Sequence, residues 1–155
     1  MTEHLSNRLR RWFILLAAAA GLVLAATQGT VKADDLQLIQ PGELAQTMKS
    51  SQKPVILYVG PNALFTQAHI PGSEYIGPTS KPQGLEKLRA RAASLPKDGD
   101  VVIYCGCCPW NDCPNIRPAY AELKKIGFSR VRVLYLATSF GVDWKDKGLP
   151  VAAGE

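Results

Sequence analysis

From Leu36 onward, short apolar runs alternate with segments of helical period. Leu36-Gln37-Leu38-Ile39 predicts a first short strand. Pro41-Gly42-Glu43 opens a helix running to about Lys49, with proline at the first helical position, where its missing amide costs little. Val55-Ile56-Leu57-Tyr58-Val59 is apolar throughout, as expected of a strand whose two faces are both covered by helices. Gly60 to Gln67 reads as a loop or short helix, His69 to Ser73 as a turn, and Glu74-Tyr75-Ile76 as another short strand. Lys81 to Leu95 has the spacing of an amphipathic helix with Leu85, Leu88, Ala92 and Leu95 on one face, closed by Pro96-Lys97-Asp98-Gly99. Val101-Val102-Ile103-Tyr104 predicts a strand, Ala119 to Ile126 a helix that stops at Gly127, and Arg130 to Leu136 the last strand. Ala137 to Lys147 is irregular with room for a helical turn, and Gly148-Leu149-Pro150-Val151 closes the domain. Strands alternating with helices imply right-handed crossovers and an α/β doubly wound, mostly parallel sheet. In such sheets the functional site lies beyond the carboxyl ends of the strands.

Residues 1–33 follow a different pattern. Arg8, Arg10 and Arg11 precede an apolar stretch of 15 residues, Trp12 to Ala26, and then a polar segment ends Val31-Lys32-Ala33. This is the layout of a cleavable export signal, with Ala33 suited to the position before the cut and the Ala25/Ala26 region as a second choice. Arg10-Arg11-Trp12-Phe13-Ile14 also resembles a twin-arginine signal, although adjacent arginines are common in general secretion signals. An uncleaved anchor fits less well, because the run is shorter than the roughly 20 residues that span a bilayer. The expectation is an exported protein, periplasmic in a Gram-negative bacterium, with no membrane association once residues 1–33 are removed.

Charge changes this picture little. Of the formal net charge of +5, residues 1–33 carry +3; residues 34–155 hold 14 basic and 12 acidic residues, a net of +2. The basic residues are scattered without an aromatic-interleaved patch, so no nucleic-acid partner is expected. Residues 34–155 are enough for one domain with a hydrophobic core that needs no disulfide to fold. The cysteines therefore call for chemistry. All four, Cys105, Cys107, Cys108 and Cys113, lie in Cys105-Gly106-Cys107-Cys108-Pro109-Trp110-Asn111-Asp112-Cys113-Pro114-Asn115-Ile116-Arg117-Pro118. The stretch joins a strand to a helix. Unpaired amides at a helix N-terminus stabilise an anion, and the thiolate is the reactive form of cysteine.

In order along residues 34–155, several stretches resemble the rhodanese-like superfamily. Ala68-His69-Ile70-Pro71-Gly72-Ser73 is similar to its Gly-His-Ile-Pro-Gly-Ala turn. Val101 to Cys105 resembles its strand ending in the catalytic cysteine. Ala121-Glu122-Leu123 through Gly127-Phe128 and Val131 to Leu134 resemble its helix, Gly-Phe turn and final strand. Trp144 followed by Gly148-Leu149-Pro150-Val151 resembles its C-terminal signature. The resemblance implies a five-stranded doubly wound domain, and a cysteine, by position Cys105, that accepts sulfane sulfur as a persulfide and passes it to a thiophilic acceptor. The chain also departs from the family. Tyr58-Val59-Gly60 stands where Asp-Val-Arg is frequent, and Thr138-Ser139-Phe140-Gly141 where a Gly-Gly pair is frequent. Arg117 follows Cys105 by twelve residues, so the loop carries an insertion containing Cys107, Cys108 and Cys113.

Three chemistries fit the loop. In sulfur transfer, Cys105 holds the persulfide, Arg117 helps bind an anionic donor such as thiosulfate or polysulfide, and a thiol accepts the sulfur. In dithiol redox chemistry, Cys105 and Cys108 form a Cys-x-x-Cys pair, and Cys107, Cys108 and Cys113 are candidates for resolving, relay or disulfide roles; a structural disulfide from Cys107 or Cys108 to Cys113 would pin the loop. In metal binding, Cys105, Cys107, Cys108 and Cys113 would hold zinc or Cu(I), although their spacing is not the paired Cys-x2-Cys pattern. Sulfur transfer is the leading expectation and needs no cofactor. No cysteine has an arginine at the spacing of cysteine phosphatases, and none is followed by the histidine that c-type haem attachment requires. His69, the one histidine of residues 34–155, reads as a hydrogen-bonding residue of its turn. Trp110 reads as covering the loop or packing onto the domain, Tyr58, Tyr104 and Tyr135 as core, and Trp144 as packing at the C-terminal edge.

Overall fold

The computed structural model describes residues 36–154, and the predicted export segment lies outside them. The strands are β1 (Leu38–Ile39), β2 (Val55–Tyr58), β3 (Glu74–Tyr75), β4 (Val101–Tyr104) and β5 (Val131–Leu134). The helices are α1 (Pro41–Thr47), α2 (Asn62–Gln67), α3 (Pro82–Ala92), α4 (Ile116–Lys125) and α5 (Phe140–Asp143), the last followed by a 3₁₀ turn at Lys145–Lys147. The five strands form one sheet in the order β1-β5-β4-β2-β3, and every pairing in it is parallel. None of the described helices is long and apolar enough to cross a membrane.

The period of two divides each inner strand between two cores. Leu57 and Val59 from β2 and its exit, Val101 and Ile103 from β4, and Val131 and Val133 from β5 pack under α3 and α4 with Leu88, Ala92, Ala119 and Leu123. Ile56, Tyr58, Val102, Tyr104 and Leu134 face the other way, against Leu44 of α1, Phe65 of α2, and Phe140 and Trp144 near the C-terminus. β4, central and buried at every residue, is the strand with the fewest alternatives, which explains its legibility as a continuous apolar run.

Differences from the expectation are confined to ends. β1 and β5 are shorter than their apolar runs, and α1 and α3 each lose residues at their C-terminal end, where the last turn frays into turn geometry. Gly60 to Gln67 does contain a helix, α2. At the other end of a helix, α4 starts three residues early, at Ile116 rather than Ala119. Pro118 sits in its first turn, where the first four amides have no intrahelical partner, so the missing N–H breaks nothing. His69 lies in its turn as expected: its Nδ1 pairs with the Phe65 carbonyl at 2.8 Å and its ring stacks on Phe65 at 4.0 Å.

Helices α3 and α4 are clamped to each other and to the sheet by ion pairs. Arg89 donates to both carboxylate oxygens of Glu122, at 2.7 and 3.2 Å, and Arg91 does the same to Glu74 of β3. Each arginine holds its carboxylate partner below the ordinary pKa. Gly84 sits on the inner face of α3, where a Cβ would come within 2.1 Å of the Pro78 carbonyl oxygen. Gly84→Ala should therefore destabilise, by about 1–3 kcal/mol, instead of giving the gain usual for Gly→Ala in a helix. A lowered midpoint in urea denaturation would show it; a raised midpoint would show that the backbone around Pro78 yields.

Candidate active site

The parity of β4 places Cys105. Val101 and Ile103 face α4, Tyr104 faces away, and Cys105 resumes the first parity just past the strand, at the carboxyl edge of the sheet. Gly106 follows with φ +78°, a conformation open to glycine, and a Cβ there would lie 2.6 Å from Phe140 Cβ. The inserted loop is then stitched down at two points. The Phe140 amide donates to the Gly106 carbonyl, and the Trp110 amide donates to the Leu136 carbonyl, both at 3.1 Å. The Trp110 ring packs 5.8 Å from Tyr135, so it packs onto the domain, and Tyr135 is half-buried rather than deep in the core.

This path brings the four sulfurs together. Cys105 Sγ is 3.2 Å from Cys107 Sγ, which is 3.1 Å from Cys108 Sγ. The sulfurs of Cys105, Cys107 and Cys113 all lie within 4.8 Å of one another. Cys105 and Cys113 are buried, Cys108 is half-buried, Cys107 is exposed, and all four are free thiols. A soft, all-thiol group of this size could hold a thiophilic ion such as zinc or Cu(I).

The environment of Cys113 was not foreseen from the sequence. Asn115 is the N-cap residue of α4, yet its side chain caps nothing. It is held elsewhere: Nδ2 donates to Cys105 Sγ at 3.5 Å, Oδ1 accepts from the Ser80 amide at 3.0 Å, and its carbonyl accepts from the Thr79 hydroxyl at 2.6 Å. The start of α4 instead puts the amides of Asn115 and Ile116 beside Cys113, where they favour its thiolate. The Cys105 hydrogen bond first, and then the two amides, hold the Cys113 thiol below the ordinary range against the opposing effect of burial. Cys105 is pushed up, first as the donor to Cys113, then by burial and by the charge on Cys113. Burial leads in pushing Cys108 up to about 12. Of the two buried thiols, Cys113 is the one whose surroundings favour the thiolate.

Because a depressed pKa keeps the charge as pH falls through the ordinary thiol value, the reduced protein should retain thiolate ultraviolet absorbance at least about one pH unit below the free-thiol value of roughly 8.5. Cys113→Ser should remove that fraction. A wild-type titration with no thiolate below the ordinary range would contradict the assignment.

A cavity of about 350 Å³ opens over the cluster. Cys105, Gly106 and Cys107 line it together with Tyr58, Leu64 and Phe140, and Gln67, Ser139 and Lys145 supply polar groups. Gly60 keeps the space beside Cys105 open, since a Cβ there would be 2.8 Å from Cys105 Sγ and 2.6 Å from the Tyr58 hydroxyl. Arg117 lies in the first turn of α4, half-buried, and does not line this cavity. Lys145 does, although it is forty residues from Cys105 in the chain and carried no local signal.

The model of the rhodanese-like domain family matches residues 40–139. The chain belongs to that family. The rhodanese-like fold is also what the solved structures share. The Alr3790 protein from Anabaena sp. has a TM-score of 0.57 at 21% identity, over 75% of this chain and 92% of its own. The BH2092 protein from Bacillus halodurans has 0.59 at 16% identity, over 96% and 86%. An EanB variant in complex with hercynine has 0.60 at 18% identity, over 77% of this chain but 28% of EanB. No curated protein matches this rhodanese-like chain by sequence.

Proposed function

We propose that this is an exported sulfurtransferase that carries sulfane sulfur as a persulfide on Cys105. The observation that carries the reading is positional: in a rhodanese-like domain, Cys105 extends the central parallel strand past its carboxyl edge and lines an open cavity. A thiolate formed there attacks the outer sulfur of an anionic donor such as thiosulfate, releasing sulfite, and a thiol acceptor takes the sulfur in turn. Asn115 Nδ2 is in place to support negative charge on Cys105. Lys145 supplies positive charge in the cavity wall. The basic and apolar pattern of residues 1–33 supports export.

The test is a cyanide assay with mass spectrometry on reduced protein. Thiosulfate should yield thiocyanate, and a rapidly quenched and alkylated sample should show one added sulfur on the Cys105 peptide. Reduced protein that takes up no sulfur from thiosulfate or polysulfide would overturn the proposal. Thiol–disulfide exchange is the second reading, favoured by the sulfurs of Cys105, Cys107 and Cys113 lying within 4.8 Å of one another. It would instead show as equilibrium oxidation to a disulfide by a dithiol/disulfide buffer without sulfur uptake.

A further inference from the structure

We propose that Cys113 is the internal acceptor for the sulfur on Cys105, so that one turnover releases hydrosulfide and leaves a Cys105–Cys113 disulfide. The inference rests on the persulfide reading and names its next step. Three observations select Cys113 from the three neighbouring thiols. Its sulfur lies within 4.8 Å of that of Cys105, within reach of the persulfide. It is buried with Cys105, away from the solvent that would compete for the persulfide. It also lies eight residues from Cys105 on a loop, where a disulfide closes without the strain that a two-residue spacing imposes on Cys107. Cys108 makes its close sulfur contact with the exposed Cys107.

The steps balance. At the start the pair holds one proton and one charge, as Cys105 S–H and Cys113 S⁻. When Cys105 attacks the outer sulfur of thiosulfate, its proton passes to Cys113. The donor's S–S bond breaks and sulfite leaves, giving the Cys105 persulfide anion beside Cys113 S–H. The Cys113 proton then passes to the terminal sulfur of the persulfide. Cys113 bonds to the inner sulfur, the persulfide S–S bond breaks, and HS⁻ departs. Sulfane sulfur is reduced to hydrosulfide, and the two thiols are oxidised to a disulfide. The Asn115 and Ile116 amides that held the Cys113 charge lose that role in the product. A dithiol reductant, in the form of a small dithiol or a dithiol protein, restores the pair.

The experiment is a single turnover of fully reduced protein with thiosulfate, reading sulfite and hydrosulfide released and the peptide masses of the product. Wild type should give about one hydrosulfide per sulfite and a Cys105–Cys113 cross-linked peptide. Cys107→Ser should keep that ratio. Cys113→Ser should lower it to below about one tenth and retain the added sulfur on Cys105. The ratio is independent of how fast sulfite appears, so a slow variant still answers, and the wild-type cross-link map answers even if Cys113→Ser fails to fold. A wild type that keeps a stable persulfide, a cross-link to Cys107 or Cys108 instead, or a Cys113→Ser ratio near one would overturn the proposal. Failure of the wild type to release sulfite would sink the sulfur-transfer reading itself, and this step with it.

Discussion

Cys105→Ser should abolish sulfur transfer, with thiocyanate formation falling by at least about a thousandfold. A serine in that place has a hydroxyl far less acidic and far less nucleophilic toward sulfur, and it cannot form a persulfide. The oxygen would still sit at the carboxyl edge of β4, beside the Asn115 amide, so the fold should survive. Denaturation midpoints close to wild type would confirm that the loss is chemical. Cys107→Ser and Cys108→Ser probe the alternative that an outer thiol is the carrier. If either one, and not Cys105→Ser, eliminated thiocyanate, the nucleophile would have to be moved from the strand edge to the inserted loop. The partial charge at the N-terminus of α4 does not act on Cys105 directly. It favours the thiolate of Cys113, whose sulfur lies within 4.8 Å of that of Cys105. The arrangement makes the nucleophile's activation a property of two cysteines eight residues apart.

That division of labour shows what the sequence could and could not reveal. Val101 to Tyr104 was legible because a fully buried strand has one pattern, and its period of two fixed the side on which Cys105 emerges. The five-stranded parallel sheet followed from alternation of strand and helix together with the family resemblance. The start of α4 was misplaced by three residues because the helical pattern was read only from Ala119, although a proline in the first turn costs a helix nothing. This small shift moves the helix amides back onto Cys113, so the sulfur they stabilise is not the one the strand edge suggested. Lys145 was invisible for a different reason. It joins the cavity only because the chain after β5 returns through α5 and the 3₁₀ turn, a tertiary event without a local pattern. Asn115 drew no reading from the sequence, and only its long-range partners Thr79, Ser80 and Cys105 show that its side chain and carbonyl serve the site.

The return through α5 depends on Trp144, and Trp144→Ala should be the most damaging single change to stability, costing about 3–5 kcal/mol. The side chain is completely buried. Its Nε1 donates to the Pro150 carbonyl at 2.8 Å, so truncation removes both the ring and the partner of a backbone acceptor. Its ring lies nearly parallel to Phe140, 6.2 Å away, and Phe140 is the residue whose amide binds Gly106 and whose Cβ fills the space above it. A cavity in place of the indole therefore loosens the wall that holds the turn after Cys105. Two readouts separate the effects. The urea midpoint should fall sharply, and sulfur transfer by the fraction that remains folded, measured well below the transition, should fall as well. Trp144→Phe keeps most of the volume but not the N–H, and should recover most of the activity with only part of the stability. If Trp144→Ala lost stability while folded protein transferred sulfur at the wild-type rate, Phe140 would hold Gly106 without help from the residue behind it, and the site would prove independent of the C-terminal turn.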